Sequence, residues 1–111
     1  MRCIKISYEG KIEFDDLVHS RCLLTLLKFL VDDRGYTVQK WADDEIKLKK
    51  DVFQRKHEGD IEIATKDTSI KIEIEVADNC GEIEVECENA DLVKETVDDL
   101  TRFLSELTYK E

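Results

Sequence analysis

Proline is absent from this 111-residue chain, and glycine occurs only at positions 10, 35, 59 and 81. Glycines so widely spaced build no phosphate-cradling loop, which excludes G-x-G-x-x-G and Walker-type nucleotide sites. The G-x-S-x-G turn of a hydrolase nucleophile is missing as well. No apolar run approaches the roughly 18 residues needed to span a bilayer. The opening Met1-Arg-Cys-Ile-Lys-Ile-Ser lacks the apolar core of a signal peptide, so a cytoplasmic chain is expected. The four cysteines (Cys3, Cys22, Cys80 and Cys87) form no C-x-x-C pair and are expected to be reduced in that compartment. Positive charge is also short: 17 Lys+Arg stand against 27 Asp+Glu, a net of −10. That sign disfavours nucleic acid and anionic membrane as partners. The one basic cluster (Lys47, Lys49, Lys50, Arg55, Lys56) is interrupted by Asp51 and preceded by Asp43, Asp44 and Glu45.

At 41% apolar and 40% charged, the chain has the composition of a globular protein. Its length suits a single domain, residues 1–111, burying about 65% of its unfolded surface. Abundant Lys and Glu with only two Asn and two Gln hint at a thermophile, although the absence of proline argues mildly the other way.

The charge is unevenly placed. Residues 59–111 carry 16 acidic against 5 basic side chains, whereas residues 1–58 are close to balanced at 11 against 12. Within the acidic half, Ile70, Ile72, Ile74 and Val76 alternate with Lys71, Glu73 and Glu75. Ile83, Val85 and Cys87 alternate with Glu82, Glu84 and Glu86. Period-two alternation predicts strands with one buried face and one carboxylate-bearing face.

Upstream, Ile4, Ile6 and Tyr8 predict a strand, and Glu9-Gly10-Lys11 predicts a turn onto a short return strand with Ile12 and Phe14. A helix over about 15–34 follows, N-capped by Asp15 and closed by Gly35. Its apolar residues cover most of the circumference, leaving a narrow polar stripe of Arg21, Thr25, Lys28 and Asp32, so it must be covered on more than one side. Tyr36 to Trp41 and Ile46 to Leu48 read as a strand pair. Residues 60–66, 69–76 and 82–88 read as a meander turning at Asp67-Thr68 and at Asp78-Asn79-Cys80-Gly81. Asn89 caps a final one-faced helix over about 90–107. The fold class is therefore α+β: a mostly antiparallel curved sheet of about five to seven strands with two helices packed on one face.

Turn parity sets which carboxylates meet. With Lys66 opposite Ser69, Glu62 faces Glu73 and Asp60 faces Glu75. With Val76 opposite Ile83, Glu75 faces Glu84 and Glu73 faces Glu86. Asp60, Glu62, Glu73, Glu75, Glu84 and Glu86 would then share one acidic face, suited to a basic protein partner or to divalent cations. A solvated face relieved by Lys47, Lys49 and Lys71 is the plainer reading, and no calcium-loop motif supports a metal site. His19 and Cys22, three apart on the first helix, can meet, but neither has a visible third partner for catalysis or for a metal. Cys87 has inward parity, and Cys80 lies in a turn.

The composition and patterning point to a small acidic cytoplasmic interaction or structural module that self-associates as a dimer, with no assignable catalytic residue, cofactor or metal. Leu23, Leu27, Leu30, Trp41 and Phe103 are the expected interface or pocket residues. The first alternative is a carrier or sensor holding a small apolar ligand between sheet and helix. The second is cation or basic-partner binding through the acidic face.

Overall fold

The computed structural model describes residues 6–15, 20–77 and 80–109. The chain runs β1 (Tyr8–Asp15), α1 (Ser20–Lys28), a π-helical turn (Phe29–Asp33), β2 (Thr37–Trp41), β3 (Glu45–Glu58), β4 (Ile61–Val76), β5 (Cys80–Cys87) and α2 (Ala90–Tyr109). The strands form one open sheet in the order β1-β5-β4-β3-β2, and every neighbouring pair is antiparallel. The helical segment between β1 and β2 joins the two edges of the sheet, and the remaining strands return as a meander. This is the expected α+β class, with five strands.

The alternation read from the sequence explains the core. Ile46, Leu48, Ile70, Ile72, Ile74, Ile83, Val85 and Cys87 are buried on one face of the sheet, together with Leu26, Leu27, Leu30, Tyr36, Val93 and Leu100 from the helices and the segment between them. The last helix begins where expected, because the Asn89 side-chain oxygen accepts hydrogen bonds from the Asp91 and Leu92 backbone N–H groups at 2.9 and 3.2 Å. The first helical segment ends in a wider turn: the Arg34 N–H donates to the Phe29 carbonyl at 3.1 Å, and Gly35 takes the left-handed conformation with φ 76°. That helix is only partly covered. Leu26, Leu27 and Leu30 are buried, whereas Leu24 is 57% and Val31 38% exposed.

Two expected turns are instead strand interior. Gly10 lies within β1, opposite Val85. A Cβ there would sit 2.6 Å from Val97 Cγ2 and 3.1 Å from Val93 Cγ1. Glycine at this position lets α2 approach the sheet closely; it does not reverse the chain. Asp67-Thr68 likewise lies inside the 16-residue β4. The ladder passes from Val52 opposite Thr68 to Phe53 opposite Lys66, so Asp67 is the extra residue of a β-bulge. Turn-type chemistry at Asp67 serves a bulge because β3 runs on to Glu58 and supplies a continuous partner strand. The actual reversal is the two-residue turn Gly59-Asp60, with Gly59 at φ 62°.

Candidate functional site

Two surfaces stand out, one at each end of the long β3–β4 ribbon. The first is an arm. Strand β2 pairs with β3 only as far as Lys49, and β5 pairs with β4 only as far as Lys71. Beyond the bulge, residues 53–66 pair, among the described residues, only with each other, and every one of them is exposed. The arm lengthens the molecule: the radius of gyration is 16.1 Å, against about 13 Å for a compact chain of this size. One face carries Ile61 and Ile63, 65% and 42% exposed, and the other carries Phe53, 56% exposed. The β3 edge holds Arg55 and Lys56, the cationic protection common on free edges. The β4 edge runs Ile61-Glu62-Ile63-Ala64-Thr65, with strong strand formers and a single charge.

The second surface is the outer face of the sheet. Register aligns its side chains in rows. Glu13, Glu82, Glu75 and Glu45 form one row across four strands. The next row reads Lys11, Glu84, Glu73, Lys47 and Lys40, and the one after it Glu9, Glu86, Lys71 and Lys49. Glu45 holds two lysines, Lys40 at 2.9 Å and Lys47 at 3.4 Å. Lys11 reaches Glu82 at 3.1 Å. The Lys40 contact, helped by a hydrogen bond with Glu73, brings the Glu45 carboxyl down to about 2, while Glu73 is raised by that same hydrogen bond and by burial. Burial, then the neighbouring Glu9, raises Glu84. Carboxylate oxygens of Glu45, Glu73 and Glu75 lie within 4.8 Å of one another. Because two lysines already neutralise Glu45, the trio offers a cation less charge than its count suggests. Beside it, Glu13, Asp44, Glu45, Glu75, Glu82 and the exposed Cys80 line an open cleft of about 580 Å³.

The expected acidic face is therefore corrected in register. Because β4 does not turn at residues 67–68, Glu62 sits opposite His57 on the arm and contacts Arg55 at 3.4 Å, and Asp60 lies in the arm's turn. Val76 pairs with Gly81, two residues tighter than expected, so Glu75 faces Glu82 and Glu73 faces Glu84. Glu86 faces Lys71. Glu73, Glu75, Glu84 and Glu86 share the face, and Asp60 and Glu62 do not. Glu9, Glu13, Glu45 and Glu82 belong to it as well, a grouping that follows once β1 is read straight through Gly10.

Of the expected interface or pocket residues, Leu27 and Leu30 are core, and Leu23 and Phe103 are half-buried against it. Phe103 stacks on Phe29 at 4.1 Å, with Arg34 over the other ring at 4.5 Å. Trp41 is 59% exposed at the end of β2. Leu30 also borders a cleft between α2 and the sheet. His19 and Cys3 lie outside the described residues, as does the side chain of Cys22. Cys87 is buried, with its sulfur 3.6 Å from the Thr68 hydroxyl. No helix among the described residues is long and apolar enough to cross a membrane.

No protein-family model matches the sequence, and no curated protein matches it.

Proposed function

We propose that this protein is a small cytoplasmic interaction module that self-associates as a dimer, and that the arm of residues 53–66 is its contact surface. The observation that carries this reading is that, among the described residues, no other strand of the chain pairs with the arm. A two-stranded ribbon alone in water is marginally stable, yet here one extends past its sheet with all residues exposed and Phe53, Ile61 and Ile63 among them. A second copy supplies what is missing. Antiparallel pairing of the two β4 edges about a two-fold axis near Ile63-Ala64 is isologous. It sets the Asp60-Glu62 end of each strand along the Lys66 end of the other, and it covers Ile61 and Ile63. Main-chain hydrogen bonds provide affinity in such strand addition, and the side-chain alternation provides register. The first helix, where apolar excess alone suggested the interface, retains only Leu24 and Val31 as large exposed apolar groups among its described residues.

The test is native mass spectrometry with sedimentation across micromolar concentrations, comparing the wild-type chain with Ile61→Lys/Ile63→Lys. Both positions are exposed, so the fold should be retained. A wild-type dimer that becomes monomeric in the double variant supports the proposal. A wild-type monomer at every concentration, or a dimer indifferent to the substitutions, defeats it.

A further inference from the structure

The inner face of the sheet breaks its own alternation at one place. Along β3 the inward positions are Ile46, Leu48, Lys50 and Val52, which pair with Ile74, Ile72, Ile70 and Thr68. A lysine thus sits where the pattern calls for an aliphatic residue. Lys50 is half-buried, and among the described residues no carboxylate lies within ion-pair distance of it. Its ammonium lies 5.6 Å from the centre of the Tyr36 ring, near the outer limit of a useful cation–π contact.

Lys50 lines a cleft of about 370 Å³ between this face and α2, at the small end of the range for metabolite sites. Its apolar lining includes Val52 and Ile70 from the sheet and Leu92 and Leu100 from α2. Charged groups on the helix side are Asp99 and Glu95. Asp99 is already engaged, because Arg34 donates to its two oxygens at 2.7 and 3.0 Å. Glu95 is exposed at the rim and forms no ion pair among the described residues. Burial raises the Tyr36 phenol to about 12, so it stays an –OH that does not neutralise Lys50.

The cleft therefore holds Lys50 at its sheet side, close enough to Asp99 to be felt through space but in no ion pair, and Glu95 at its helix side, also in no ion pair among the described residues, beside aliphatic surface. We propose that it is a binding site for a free α-amino acid with an apolar side chain, its carboxylate on Lys50, its ammonium on Glu95 and its side chain against Val52, Ile70 and Leu92. A simple carboxylate would satisfy Lys50 but meet Glu95 as a like charge. A simple amine would leave Lys50 without an ion pair.

The probes are L-leucine and L-phenylalanine, with 4-methylpentanoate and 3-methylbutylamine as leucine analogues lacking one charge each. Binding is read by NMR shift perturbation and calorimetry on the full chain. The expected result is saturable binding of at least one amino acid, with shifts around Lys50, Ile70 and Glu95, and at least tenfold weaker binding of both analogues. Lys50→Met should weaken amino-acid binding at least tenfold while raising Tm, since it restores an aliphatic residue to the inner face. Glu95→Gln, at an exposed helix position, should weaken it while leaving 4-methylpentanoate binding no weaker. No saturable binding of either amino acid at millimolar concentration overturns the proposal. So does equal affinity for 4-methylpentanoate, or amino-acid binding that survives Lys50→Met.

Discussion

Replacing Gly10 by alanine tests whether β1 runs straight beneath α2. The new Cβ would lie 2.6 Å from Val97 Cγ2 and 3.1 Å from Val93 Cγ1, where carbon atoms prefer about 3.5–4.0 Å. Val97 cannot swing away cheaply, because a β-branched side chain in a helix has essentially one χ1 rotamer. Either α2 moves off the strand or the valine is forced off its rotamer, and such overpacking costs about 1–3 kcal/mol. Alanine returns roughly 0.5–1 kcal/mol by restricting the unfolded backbone and favouring the strand. Gly10 is not a positive-φ glycine, so no backbone penalty adds to the steric one. The net expectation is a loss of about 1–2 kcal/mol, a fall in Tm of roughly 4 °C or more. Val97→Ala alone should also destabilise, through lost burial. Combined, the two changes should cost less than the sum of the singles by about 1 kcal/mol or more, the signature of residues in direct contact. Urea denaturation of the four proteins in the cycle measures this. Additive losses, or a Gly10→Ala protein as stable as wild type, would refute the close approach and return Gly10 to an ordinary flexible position.

Asn89→Ala removes the acceptor for the Asp91 and Leu92 N–H groups and should cost about 1 kcal/mol, read from the urea midpoint at constant m. Lys40→Met removes the largest cause of the depressed Glu45 carboxyl, so carbon-detected NMR should show its midpoint rising from about 2 toward 4.5. The sign follows from linkage. A carboxyl lowered on folding adds stability above its unfolded pKa and loses it as pH falls toward 2, so the variant should lose less stability than wild type on acidification across that window. Deleting Asp67 removes only the bulged residue and leaves every β3–β4 partner in place. The deletion protein should fold with an unchanged sheet fingerprint, whereas loss of a true hairpin-turn residue would disrupt it.

The elements with a strong period were legible in the sequence. The core of β4 and β5 showed as alternation, α2 as a one-faced arc behind an Asn cap, and the inward Cys87 followed from parity. What was not legible depended on partners distant in sequence. Gly10 carries the local look of a turn, and only the approach of Val93 and Val97 from the other end of the chain makes it a strand glycine. Residues 53–58 lack alternation because both their faces are exposed on the arm, so no burial imposed a pattern. The outer-face rows required the register, and the register required knowing that Asp67 bulges. Lys50 looked like one member of a basic cluster until its parity within β3 placed it on the inner face.

The β3–β4 register shows which force decides such a ribbon. In the observed pairing the outward neighbours are Glu45–Glu75, Lys47–Glu73, Lys49–Lys71 and Asp51–Ser69, only one of them complementary and two of like charge. Sliding β4 by two residues would pair Lys47 with Glu75, Lys49 with Glu73 and Asp51 with Lys71. It would keep the apolar residues on the inner face and gain ~1–3 kcal/mol from cross-strand charge. The slide is opposed by the turn. Gly59-Asp60 pairs Glu58 with Ile61, and continued unchanged from that start the ladder would set Ile46 opposite Glu73 and turn one strand's apolar residues outward. One extra residue, Asp67, corrects the parity and brings Ile46 opposite Ile74 and Leu48 opposite Ile72. Reaching the charge-favoured register would take three extra residues between turn and core, unpairing most of the arm at roughly 0.5–1.5 kcal/mol per hydrogen bond. Several such bonds outweigh exposed ion pairs worth a few tenths of a kcal/mol to 1 kcal/mol each. The carboxylate row on the outer face is thus a by-product of a register fixed by turn, bulge and buried isoleucines.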